Sequence, residues 1–321
     1  METALGIGLL LLPILVVLGF MGYCAYYVAK HDYVHKLERI FEEKPLFIIP
    51  RGEVNPHAED VRFSGPDGST LCGCYFKTPV PRKGVVLFGI EYGSDRWSCQ
   101  SYCDPLIAAG YDVFAYEPRN QGESSTIEGY VPLQWITRYE VQDAQAAVAY
   151  LKSRSDADSK GIAFVGVSKG ANAGLAVAVR DEWIRCAVTD GAFGILTVML
   201  PYMKHWISIY NQSILIHGMM PAWFYMLFAR KGIRRVQRRR KVRFFHLEEV
   251  MQDWKKPWLQ IHGEADSYIK PTMAKELHKH CAKYVEFWAV PKARHNQAIS
   301  VAGEEYHARV IRFLDQHLAN S

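Results

Sequence analysis

The chain has 321 residues, about half of them apolar, and a formal net charge of +5. That length and composition can bury a full-sized core, in one large α/β domain with an insertion or in two small domains, and they exclude intrinsic disorder. Seven cysteines, at 24, 72, 74, 99, 103, 186 and 281, are an odd number without a C-x-x-C pair, which argues against a disulfide framework or a zinc site and for free thiols in a reducing compartment.

Residues 1–30 form the first predicted element. From Thr3 to Ala29 no charge interrupts a run dense in Leu, Ile, Val and Gly, long enough to cross a hydrocarbon layer that needs about twenty apolar residues. No Lys or Arg precedes the run, no small-x-small site follows it, and Tyr23 before Cys24 is too bulky for lipoprotein cleavage. The expectation is therefore an uncleaved transmembrane anchor and not a signal peptide, with Tyr23, Tyr26 and Tyr27 at the headgroup level. Lys30, Lys36, Arg39 and Lys44 all follow the span. The positive-inside bias then predicts a single-pass membrane protein with its catalytic domain on the cytoplasmic side.

Residues 31–60 read as a partly helical connector. The runs 61–63 and 71–76 flank Gly65-Pro66-Asp67-Gly68 and predict a β-hairpin. Further apolar runs at 84–88, 112–116, 161–165, 185–189, 257–261 and 284–290 alternate with helical patterns such as 97–109 and 139–152. Continuous apolar strands with helices between them predict an α/β fold, a mostly parallel sheet covered by helices on both faces. Residues 61–192 and 257–321 would form this core.

The alternation breaks at 193–256, which is rich in aromatic residues and Met up to Phe228 and basic from Arg230 to Arg243. A structureless loop of that length is improbable, so this insertion is expected to be a helical cap over the strand ends. Nine basic residues lie from Arg230 to Arg243, among them Arg234, Arg235, Arg238, Arg239, Arg240 and Lys241, and without those nine the net +5 becomes −4. Beside the apolar stretch 219–228, such a strip suits an anionic membrane lipid surface better than nucleic acid. A solvated helix face is the plain alternative. The stretch 214–228, interrupted by Pro221, is too short for a second span.

The chemistry-bearing residues fall on loops after strands. Ser168 sits in Gly166-Val167-Ser168-Lys169-Gly170, between the apolar run 162–165 and the helical run 171–178. This is the layout of a strained turn that lifts a nucleophile clear of the surface, with serine as a simple helix N-cap the alternative. Asp266 follows the strand at 257–261, and His295 follows the one at 284–290. Acyl transfer by serine needs a base and a carboxylate to hold it, and these two can supply both. Asp190, which ends an earlier strand, competes with Asp266. His262 competes with His295, and its expected role is a structural hydrogen bond. The histidines show no metal-ligand spacing.

Together these residues resemble the α/β-hydrolase superfamily over about residues 61–318, and most of all its lysophospholipase and serine-aminopeptidase-like branch, which includes members with one N-terminal anchor. Ser168, Asp266 and His295 follow that family's chain order. Residues 84–97 resemble its strand and oxyanion loop, and Pro118-Arg119-Asn120-Gln121-Gly122-Glu123-Ser124 is similar to its Arg-Gly-His-Gly-x-Ser turn. The resemblance implies a serine hydrolase with a Ser168–His295–Asp266 triad, oxyanion donors in the amides of Tyr92 and Lys169, and no metal or organic cofactor. Ile90-Glu91 stands where that family usually has His-Gly. The apolar cap and the expected tether favour a hydrophobic acyl substrate, an ester or thioester. A peptidase or amidase, an acyltransferase, or a catalytically silent binding module at the membrane are the alternatives.

Overall fold

The computed structural model describes residues 2–28, 38–39, 41–42, 49–210 and 222–319. Strands β1 (Glu59–Ser64) and β2 (Thr70–Phe76) pair antiparallel, with Ser64 opposite Thr70 across the turn at Pro66–Gly68, so the expected hairpin is present. Strands β3 (Gly84–Gly89), β4 (Tyr111–Glu117), β5 (Ile162–Val167), β6 (Ile184–Asp190), β7 (Trp258–Gly263) and β8 (Val285–Val290) follow. They form one eight-stranded sheet in the order β1-β2-β4-β3-β5-β6-β7-β8, parallel from β4 to β8.

The apolar runs become parallel strands because both sheet faces are covered. Along β5, Ile162 and Phe164 join Leu87, Phe114 and Val148 in one core cluster. The alternate residues Ala163, Val165 and Val167 join Val86, Phe88, Val188 and Ile261 in a second.

Helix α1 covers Glu2–Val28, α2 Gln100–Ala108, α3 Arg138–Ser153, α4 Ser168–Ala178 and α5 Ile195–Tyr210. Helices α6 (Ala222–Arg240), α7 (Leu247–Val250), α8 (Pro271–His278), α9 (Ala298–Ala302) and α10 (Glu304–Leu314) complete the set used below. Helices α3 and α4 contribute to the first cluster and α2 and α10 to the second. The predicted helix at 97–109 begins as a 3₁₀ turn, Arg96–Cys99, capped by Asp95, whose side chain accepts from the Ser98 amide at 3.0 Å. All seven cysteines carry free thiols; six are buried and Cys24 is exposed.

The chain divides into two compact units, residues 1–43 with 202–239, and residues 44–201 with 240–321. In the first unit α6 is amphipathic. Tyr225, Phe228, Ala229, Ile233 and Val236 are buried at helical spacing, and the basic side chains lie elsewhere on the helix. Arg235 pairs with the buried Glu38 at 2.7 Å, and Arg239 reaches Glu38 at 3.2 Å and Glu42 at 2.5 Å. Two of the six residues assigned to a lipid surface are thus engaged by carboxylates inside the unit, while Arg234, Arg238 and Lys241 are exposed and Arg240 is half-buried.

The membrane reading of residues 1–30 requires correction. Among the described residues, no helix is long and apolar enough to cross a membrane. At the C-terminal end of α1 the chain makes protein contacts, since Lys231 Nζ donates to Tyr26 Oη at 2.7 Å and the Tyr26 and Phe228 rings lie 5.8 Å apart. The single-pass anchor, and with it the cytoplasmic placement of the catalytic domain, therefore does not hold. Lys30, Lys36 and Lys44, used for orientation, and Met219 to Pro221 of the apolar stretch lie outside the described residues.

Candidate active site

Ser168 stands at the junction of β5 and α4 with φ at 49°, in the left-handed region that a residue with a side chain rarely adopts. The helix can start so abruptly because Gly170 has no Cβ. One built there would lie 2.2 Å from the Ile90 carbonyl oxygen and 2.4 Å from the Gly89 carbonyl carbon. Backbone contact between α4 and the end of β3 thus sets the loop containing Tyr92 beside the nucleophile.

The loops after β7 and β8 are laced together by main-chain bonds. The amides of Glu264 and Ala265 donate to the carbonyls of Val290 and Ala293, each at 2.9 Å. This lacing brings Asp266 to His295. His295 Nδ1 lies 2.7 Å from Asp266 Oδ2, and His295 Nε2 lies 3.1 Å from Ser168 Oγ. The other oxygen of Asp266 accepts from the amides of Tyr268 and Ile269, both at 2.8 Å, so the carboxylate is fixed from both sides.

The competing residues are placed differently. His262 Nε2 donates to the Ile269 carbonyl at 2.6 Å and lies 3.5 Å from Asp266 Oδ2. Burial lowers its pKa, while the Ile269 carbonyl and Asp266 act in the opposite direction. Asp190 is buried at the end of β6. Burial first, then repulsion from Glu91, raises its carboxyl to about 8, with the Tyr306 hydroxyl acting in the opposite direction. An acid held neutral at ordinary pH is poorly suited to orienting an imidazolium.

Tyr92 and Lys169 are brought close through their side chains, with the Lys169 ammonium 5.4 Å from the Tyr92 ring centroid. Lys169 Nζ donates to the buried Glu140 Oε1 at 2.7 Å, and the Tyr92 hydroxyl donates to the Pro132 carbonyl at 3.1 Å. The Lys169 amide is in the first turn of α4, where N–H groups lack an intrahelical partner. Three supporting residues did not stand out in the sequence. Gln121 Nε2 donates to the carbonyls of Glu91 and Ser94, both at 2.8 Å. Asn296 Nδ2 donates to Glu91 Oε2 at 2.8 Å. Glu140 also closes a capping box with Thr137 at the start of α3, which Thr137-x-x-Glu140 would have signalled. Apolar rings flank the histidine, with Tyr268 5.5 Å and Phe193 6.4 Å from it. Among the described residues no cluster of His, Cys, Asp and Glu could hold a metal ion.

Comparison with known proteins bears on the family and the fold. The sequence model of the prolyl oligopeptidase family, Peptidase_S9, matches residues 105–321. The quorum-quenching protein AidA of Acinetobacter baumannii (strain MDR-ZJ06) is 25% identical over 140 residues, covering 41% of this chain and 44% of AidA. The chain thus spans less than half the length of that curated relative. Among solved structures, the Pyrococcus furiosus esterase Pf2001 superposes with a TM-score of 0.62 at 24% identity, over 86% of this chain and 99% of that one. A puromycin-hydrolyzing peptidase of Mycobacterium tuberculosis gives 0.58 at 17% identity, over 82% of this chain and 40% of its own. Likenesses this distant establish the fold, which is that of the α/β hydrolases. Since the family match takes in more than half of its residues, the chain belongs to the prolyl oligopeptidase family of serine hydrolases, within the α/β-hydrolase superfamily.

Proposed function

We propose that this chain hydrolyses carboxylic esters or thioesters with a hydrophobic acyl group through an acyl-enzyme on Ser168. The observation that carries the reading is the chain of two hydrogen bonds, Ser168 Oγ to His295 Nε2 at 3.1 Å and His295 Nδ1 to Asp266 at 2.7 Å, at a strained elbow. Ser168 Oγ attacks the carbonyl carbon while His295 Nε2 takes the hydroxyl proton. The carbonyl π electrons move to oxygen, and the amides of Tyr92 and Lys169 receive that oxyanion, a well-placed donor being worth about 3 kcal/mol in the transition state. The intermediate collapses, the leaving group departs with the proton from His295, and water attacks the acyl-serine by the same steps in reverse roles. Asp266 holds the tautomer with the proton on Nδ1 and stabilises the imidazolium. The rings of Phe193 and Tyr268 beside His295 favour an acyl chain over a polar one.

Turnover of a series of p-nitrophenyl acyl esters by the full chain and its Ser168→Ala variant tests this. We expect loss of all turnover in the variant, and rising kcat/KM from two-carbon to medium acyl chains in the parent. Full activity in the variant, or failure of a fluorophosphonate to label Ser168 in the parent, would refute it. The family match favours a second reading, amide or peptide hydrolysis by the same groups. Aminoacyl amides hydrolysed with higher kcat/KM than the esters would establish that one instead.

A further inference from the structure

Glu91 is the acidic residue that replaces the expected glycine just ahead of an oxyanion donor. Its side chain is withdrawn from water, at 6% exposure, and its Oε2 accepts from Asn296 Nδ2 at 2.8 Å. The partners are 205 residues apart in the chain, and each adjoins a different part of the machinery. Glu91 precedes Tyr92, and Asn296 follows His295. Asn296 holds a left-handed backbone with φ at 55°. Its Oδ1 packs over Gly191 at the end of β6, where a Cβ would come within 2.9 Å of that oxygen and 3.3 Å of the His295 ring. The main chain of the Glu91 loop is gripped separately, by Gln121. The loop is therefore tied through its carbonyls to the turn after β4 and through the Glu91 carboxyl group to the loop of the base.

We infer that Glu91 is a positioning residue whose hydrogen bond to Asn296 sets the spacing between His295 and the oxyanion loop. The inference rests on the proposed roles of Ser168 and His295. The bond joins the loop of the donors to the loop of the base, so it fixes the base relative to the donors that must meet the same tetrahedral carbon. A displacement of about 1 Å between such groups can cost on the order of 10²-fold in rate. Since neither residue touches the acyl group in this role, their loss should act on the chemical step and leave substrate binding nearly alone.

The test uses the purified full chain and a medium-chain p-nitrophenyl ester, with kcat, KM and thermal midpoint read for each variant. Glu91→Ala should lower kcat by about 30- to 100-fold with KM held within about threefold. Asn296→Ala should give a similar loss, and the double variant should be no slower than the slower single one, because both remove one interaction. Glu91→Gln keeps an oxygen acceptor for Asn296 Nδ2 and should recover kcat to within about threefold of the parent. Full-speed Glu91→Ala, multiplicative losses in the double variant, or a Glu91→Gln protein as slow as the alanine one would each overturn the inference. If Glu91→Ala does not fold, Asn296→Ala alone decides, and a kcat within twofold of the parent overturns it. Ser168→Ala separates the two claims. Turnover retained there removes the underlying reading, whereas its loss beside a full-speed Glu91→Ala removes only this one.

Discussion

At the level of single residues, the site depends on positions where one atom decides the outcome. Gly170 is such a position, because even a methyl group would meet the backbone of Gly89 and Ile90 at under 2.5 Å and neither wall is a side chain that can turn away. Gly170→Ala should lower stability by about 2–4 kcal/mol and slow fluorophosphonate labelling at least tenfold, as measured by urea midpoint and labelling rate. Asp190 offers a different check. Its carboxyl is raised to about 8 from an ordinary value near 4, so between those pH values the folded chain holds a proton that the unfolded chain has lost. Stability from this group therefore falls as pH rises from about 4 to about 8 and is flat beyond. Asp190→Asn removes the titration, and its thermal midpoint relative to the parent should climb steadily between pH 5 and pH 8. A constant difference across that range would mean that Asp190 ionises normally.

Among elements, the join between α3 and α4 carries most of the electrostatic risk. Lys169 on α4 and Glu140 on α3 are both buried and bonded at 2.7 Å. Burial alone would raise the Glu140 carboxyl, yet Lys169, Thr137 and Tyr130 bring it below its ordinary value. Removing one member leaves the other charged in a dry site, which typically costs about 3–5 kcal/mol. Glu140→Gln should show a loss of that order in chemical denaturation, and adding Lys169→Met should return most of it. The elbow was read from its glycines, whereas the signal of the other end, Thr137-x-x-Glu140, was passed over, and neither pattern says that the two ends meet. Nothing in a linear pattern shows that the lysine after the nucleophile faces inward.

For the whole molecule, what was legible follows from how local each signal is. Strands at 84–89, 162–167 and 258–263 were readable because burial on both sheet faces leaves unbroken apolar runs. Ser168 could be picked out because it directly follows such a run, and Asp266 and His295 because they lie on the loops that follow two later ones. The pairing of Glu91 with Asn296 was hidden because it joins two loops distant in sequence. The run at the N-terminus misled because hydropathy alone reads an apolar stretch as a span. A count of the charges on α6 likewise takes no account of Glu38 and Glu42, which pair with Arg235 and Arg239. Two compact units, each with its own contacts, should also not unfold as one. Calorimetry should give a measured enthalpy larger than the van't Hoff value, and equality of the two would mean a single cooperative transition.

The distribution of sulfur also makes the protein convenient to observe. Six of its thiols are shut away from solvent and one, Cys24, is open, so a maleimide dye added to the native chain should attach at a single point. That point lies far along the sequence from Ser168, Asp266 and His295, which leaves the serine free for a fluorophosphonate of another colour. One unmodified polypeptide could then carry two reporters, one on each compact unit, with no engineered cysteine.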